Sequence, residues 1–407
     1  MTTAMAMRRP VATPARNLPS QLSLLAFVVV CFTVQLSIRS GVTGFIPVIA
    51  SLALVLVMHG GAGLQARWTV PMYLTSLFVV TTAALFPSDS TASPLPTMAV
   101  VAAILPMATT IGYALSRDPL MWQRFMRTYV RIALIMAALA TYEHVRVSRI
   151  LGSTEQADLD RALVFVQHPI VLGLLLAIGI PFTPCLKRRA VRLASVLLLL
   201  AGVYSTGSSG PMAVSGALTV LTLAPSLTHW FARRPGLLKV ALFCAVVVTA
   251  WLSIYHWTNV INDSTTEEYS TAYRPALYSL VPEMLAGSPL GHGFSGLPQG
   301  VLFIFSNARG VSDVSISIDA EPVLLASKFG YLGLVVYVVW IIIAINGLRN
   351  ARTASLAAMG LLGCGFVVAL TTWPQIAALL FMTLAFAYSS RRGSEGHDDG
   401  ASVEARP

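Results

Sequence analysis

Arg274, His292, Arg309, Asp319 and Glu321 all fall in one polar interruption between hydrophobic runs, residues 256–321. A shorter interruption, residues 144–164, carries Arg161, and His168 follows it. A guanidinium is a planar fork of donors that grips phosphate or carboxylate oxygens in pairs, so Arg161, Arg274 and Arg309 are candidates for anion recognition. Asp319 and Glu321 are of the type that takes a proton from an attacking hydroxyl; the plainer role for both is to cap the helix that follows. His168 and His292 lie beside Pro169 and beside Gly291 and Gly293, where a ring nitrogen can make local hydrogen bonds. Between two hydrophobic runs, Thr206-Gly207-Ser208-Ser209-Gly210-Pro211 predicts a tight turn, and the Ser208 and Ser209 hydroxyls with the turn amides could cradle an anion.

The elements that must hold these residues are set by composition. Of 407 residues 56% are hydrophobic and only 11% charged, about half the charge of an average soluble domain. Apolar runs long enough to cross a bilayer core of roughly 30 Å recur near 21–38, 42–58, 69–86, 97–114, 128–143, 166–183, 193–205, 211–229, 238–255, 322–345, 354–372 and 375–389. The expected fold is all-α, a polytopic membrane protein of about 12 transmembrane helices with one large outer loop. Its segments are a disordered leader (1–20), helices 1–9 with a small outer loop near 144–164 (21–255), the large loop (256–321), helices 10–12 (322–390) and a disordered tail (391–407). Basic residues favour cytoplasmic loops, and Arg117, Arg124, Lys187, Arg188, Arg189, Arg233, Arg234, Arg349, Arg352, Arg391 and Arg392 all fall in or beside alternate loops. Both termini are therefore expected in the cytoplasm, and both polar interruptions outside it.

The net charge of +10 is spread over loop after loop as membrane topology requires, not gathered into a patch, which argues against nucleic acid as a partner. Cys31, Cys185, Cys244 and Cys364 lie in or beside apolar runs without a CxxC pair, so neither a disulfide framework nor a metal site is expected. No internal repeat is visible, and charges are almost confined to the loops; both count against a secondary transporter or flippase, the main competing class.

Four stretches, in order, carry a family resemblance: DRALVFVQHPIVLGLLLAIGIP (160–181), YSTGSSGPMAVSGAL (204–218), YRPALYSLVPEMLAGSPLGHGFSG (273–296) and DAEPVLLASKFGYLGL (319–334). Together they resemble segments of the O-antigen ligase and polymerase superfamily, whose members move a glycan from a polyprenyl-diphosphate carrier to an acceptor hydroxyl at the outer face of the bacterial cytoplasmic membrane. The departures are Ser209 where the hinge usually has Arg, the lack around Phe165 of the Gly expected after Arg161, Ala320 for Asn, Pro322 at an aromatic position and Lys328 at an acidic one. Asp319 in place of His leans toward polymerase-like members. The resemblance implies a glycosyltransferase of polysaccharide biosynthesis that uses neither cofactor nor metal. Arg274, Asp319 and Glu321 would be catalytic, and Arg161, His168, His292, Arg309, Ser208 and Ser209 would bind the polyprenyl-diphosphate-linked glycan.

Overall fold

A computed structural model describes residues 18–39, 44–59, 69–85, 93–148, 150, 161–166, 168–232, 277–297, 300, 303–306, 310–313 and 318–398. These residues are helical apart from turns and one short antiparallel pair, Phe303–Ser306 with Gly310–Asp313, in which Phe303 faces Asp313. The helices are α1 Leu18–Arg39, α2 Phe45–Met58, α3 Thr69–Leu85, α4 Leu95–Arg117, α5 Pro119–Arg146, α6 Pro169–Phe182, α7 Arg189–Ser205, α8 Ser209–Leu223, α9 Pro225–Ala232, α10 over 277–287, α11 Glu321–Asn346, α12 Arg352–Gly365 and α13 Pro374–Asp398. Helix overlies every apolar run read from the sequence except 238–255, which lies outside the described residues, as do Arg274, Arg309 and the leader up to residue 17. Among the described residues three helices, α4, α5 and α11 with the turn after it, are long and apolar enough to cross a membrane.

Local chemistry explains where the boundaries depart from hydropathy. α5 starts earlier than its apolar stretch because Asp118 caps it, its Oδ1 accepting from the amides of Leu120 (3.0 Å) and Met121 (3.1 Å), with Pro119 suited to the first position. Inside α4 a π-turn spans Val100–Ile104 just ahead of Pro106, whose ring lacks an N–H and crowds the carbonyl four residues back. The run 354–372 is not one helix: α12 ends at Gly365, and a separate 3-10 turn, Leu370–Thr372, leads into α13. α13 itself continues to Asp398, so its last turns occupy part of the segment expected as a disordered tail.

α11 is broken. Gly330 has φ 60° and ψ −139°, which splits a half-helix, residues 321–329, from the remainder. The bend is so tight that a Cβ on Gly333 would lie 2.1 Å from the Leu325 carbonyl oxygen. Backbone groups released at the break find partners in the 288–296 loop: the His292 amide donates to Ser327 O and the Gly293 amide to Lys328 O (both 2.9 Å), and the Tyr331 amide to Pro289 O (3.0 Å). Irregular backbone inside an apolar protein is tolerated only where its polar groups are paired in this way.

Small residues bring the helices together. A Cβ on Gly112 would meet the Met382 carbonyl at 2.2 Å, one on Gly202 the Ala137 Cβ at 2.7 Å, and one on Gly173 both Pro211 and Thr206 at 2.9 Å. The outward face stays apolar: Val335, Val338, Val339 and Ile342 of α11 are exposed at helical spacing, while Tyr337, Ile341 and Ala344 are buried. Such a surface suits hydrocarbon rather than water.

Two ends of the bundle differ. At one end Trp122 stacks on Phe386 at 4.2 Å between ring centroids, meets Phe182 edge-on, and donates to Thr353 Oγ1 (3.2 Å), joining the starts of α5 and α12 to the end of α6 and the middle of α13. Arg352 donates to the carbonyls of Leu221 and Thr222 at the same end. Arg117, Lys187, Arg188, Arg189 and Arg349 lie in the turns that close these helices there. The opposite end holds the turn and helix starts that carry Arg161, His168, Ser208, Ser209 and Glu321.

Candidate functional site

The predicted turn is present, with α7 ending at Ser205, Gly207 at φ 60° and α8 beginning at Ser209. Arg161 lies over it. Its Nε donates to Thr206 O and an Nη to Ser208 Oγ, each at 3.2 Å, and the neighbouring Ala162 amide donates to Ser205 O (2.8 Å). Any Cβ at Gly207 would press on the Arg161 Cγ at 3.2 Å in a backbone conformation that side chains avoid. Two of the stretches recognised in the sequence, 160–181 and 204–218, thus meet through Arg161. Ser208 and Thr206 are buried and Ser209 half-buried as the first residue of α8.

His168 stands at the start of α6, its ring 4.6 Å from that of Trp373 and its Nδ1 buried without a hydrogen-bond partner. Burial, and next the positive charge of Arg161, push its pKa down from 6.5 to about 4, so the ring is neutral at neutral pH. α6 packs on α8, and Trp373 immediately precedes α13, so the N-termini of three helices gather beside Arg161. α6 and α8 have no side-chain cap and no acidic residue in the first turn. Their leading amides and the positive ends of their dipoles add to the guanidinium, an arrangement that attracts an anion.

Glu321 and Asp319 part company. Glu321 is fully buried, and its two oxygens accept from the Thr371 amide (3.0 Å) and hydroxyl (2.8 Å). This carboxylate fastens the half-helix of α11 to the turn before Trp373. Asp319 is exposed, two residues before α11. Seven residues after Glu321, Lys328 donates to Thr97 Oγ1 (2.6 Å) and so ties the same half-helix to the start of α4. His292 is half-buried, its amide and Nδ1 both turned to Ser327 O, which makes it part of the brace around Gly330.

The hinge and the large polar interruption also approach one another through a third element. A Cβ on Gly210 would lie 2.6 Å from Val367, and Tyr278 of α10 donates to Phe366 O (2.8 Å), so the hinge and the large loop both touch residues 366–367. Three residues absent from the sequence reading belong to this end: Thr371, Trp373 and Glu143. Glu143 is buried near the end of α5 and accepts from three backbone amides. A carboxylate in an apolar run was its only signal. No family model matches the chain, and neither does any curated protein.

Proposed function

We propose that this protein is a polytopic membrane glycosyltransferase of about twelve spans that moves a polyprenyl-diphosphate-linked glycan onto an acceptor glycan, or another acceptor, at the outer face of a bacterial cytoplasmic membrane. The observation that carries the reading is Arg161 over the Thr206–Ser208 turn, flanked by the uncapped starts of α6 and α8: a cationic seat at one end of an apolar bundle. A diphosphate leaving group calls for such fixed positive charge near a membrane surface, and the family-like stretches pair off, 160–181 with 204–218 through Arg161 and the described part of 273–296 with 319–334 through His292 and Ser327. In the reaction the acceptor oxygen attacks the anomeric carbon, the bond from that carbon to the diphosphate oxygen breaks, and the diphosphate leaves with the electron pair. Arg161 and Arg274 offset the growing negative charge, and Asp319 takes the hydroxyl proton. Glu321, whose two oxygens are both engaged by Thr371, supports the site by fastening the start of α11.

The test is complementation of a deletion strain with Arg161→Ala, Arg274→Ala and Arg161→Lys. All three are expected to lose or shorten a surface polysaccharide at normal protein level while the lipid-linked precursor accumulates on the outer leaflet; the lysine variant fails too because a point charge does not reproduce the fork. Unchanged polymer in Arg161→Ala and Arg274→Ala would sink the reading. The break at Gly330 favours one alternative, a transporter or flippase of lipid-linked oligosaccharide, since discontinuous helices line many transport paths. In that case the precursor would accumulate on the inner leaflet.

A further inference from the structure

Arg161 reaches the turn from a backbone held by one buried side chain. Glu143, 2% exposed, accepts from the Ile150 amide at Oε1 and from the Leu163 and Val164 amides at Oε2, each at 2.9 Å. A single carboxylate thereby ties together both ends of the polar interruption between α5 and α6. Three donors aimed at two oxygens call for an acceptor-only group, and a carboxylate supplies this where an amide would turn an N–H toward one of the donors.

Strain marks the same place. Val147 (φ 50°) and Val164 (φ 45°) are the non-glycine residues with positive φ among those described, and both are β-branched. A branched side chain avoids this conformation unless its surroundings over-determine it. Glu143 supplies that constraint, bonding the Val164 amide through its side chain and the Ser148 amide, next to Val147, through its own carbonyl (3.2 Å). Immediately after Arg161, residue 162 is pinned to Ser205 and residues 163 and 164 to Glu143.

We infer that Glu143 is a positioning residue for the anion seat: its buried carboxylate fixes the backbone from which Arg161 reaches over the Thr206–Ser208 turn. It touches no ligand and acts through Arg161, and the inference rests on the diphosphate-binding reading above.

A double-mutant cycle tests it, with full-length protein in detergent micelles and undecaprenyl diphosphate as the probe, binding measured for wild type, Glu143→Gln, Arg161→Ala and the double variant. Glu143→Gln is expected to weaken binding by about tenfold or more in the wild-type background and by almost nothing once Arg161 is gone, because residues acting through one another are not additive. The same weakening in both backgrounds, or a lower melting temperature with affinity intact, would mean a merely structural role and would overturn the inference. Unchanged binding in Arg161→Ala would remove the anion seat itself and the positioning role with it. Weakened binding in Arg161→Ala beside wild-type affinity in Glu143→Gln would overturn the positioning role alone. Should Glu143→Gln fail to fold, the pair Glu143→Gln with Val164→Gly serves, since glycine takes the positive φ without strain. Folded protein with weakened binding is then expected, and wild-type affinity would again refute the role.

Discussion

His168 is held neutral by its surroundings, and this makes stability depend on pH in a definite direction. Its pKa falls from 6.5 to about 4 on folding, burial being the larger cause and Arg161 the second, so between those values the unfolded chain binds a proton that the folded one does not. The contribution is fully present above about 6.5 and is lost as pH falls toward 4, a total on the order of 3 kcal/mol at 1.36 kcal/mol per unit. The melting temperature in detergent is therefore expected to drop more steeply between pH 7 and pH 4.5 for wild type than for His168→Gln. Parallel curves would show that this ring does not carry the charge cost. Residue chemistry was only partly legible beforehand. Arg161 and Ser208 stood out by type and motif, and they meet. Glu321 stood out as a carboxylate, but its role depends on Thr371, fifty residues on, and Glu143 depends on amides up to 21 residues away. Long-range pairing of that kind leaves no periodic signal in sequence.

The broken α11 shows what hydropathy reads well and what it misses. A continuous apolar stretch at 322–345 foretold helix, and helix is found, but apolar character is the same on both sides of Gly330 and does not announce a break. Only the shared geometry of two distant glycines does. A Cβ at Gly330 would lie 1.8 Å from Pro289 O, and one at Gly291 would lie 2.5 Å from the Lys328 carbonyl; both residues have positive φ, 60° and 76°. Since nothing flexible stands in either place, Gly330→Ala and Gly291→Ala should each cost more than the 1–3 kcal/mol of backbone strain alone, roughly enough to abolish accumulation of folded protein. Gly287→Ala is the control: it has open space around it and is expected to be tolerated. Size-exclusion profiles and melting curves of the three variants decide the matter, and a well-folded Gly330→Ala would show that the brace between the 288–296 loop and the half-helix does not govern the fold.

At the scale of the whole molecule the bundle is polarised. The turns rich in Arg and Lys close one end around Trp122, whereas Arg161, His168, Glu321 and the helix starts that flank them share the other. Basic residues stay on the side from which a membrane protein is inserted, so the basic end is expected to face the cytoplasm and the proposed anion seat to open outside, the side on which the proposed transfer would take place. Single cysteines put this to measurement, in a variant whose four native cysteines are replaced by serine. Leu290, 86% exposed in the 288–296 loop, and Leu120, 58% exposed at the start of α5, lie at opposite ends and point away from the core. In intact cells an impermeant thiol reagent is expected to label Leu290→Cys at once and Leu120→Cys only after the membrane is opened. The reverse pattern would turn the molecule over and place the anion seat in the cytoplasm. Arg161 would then meet soluble phosphates as readily as a lipid diphosphate, and the transfer proposed for this site would lose its membrane-side logic even if every contact around Arg161 were unchanged.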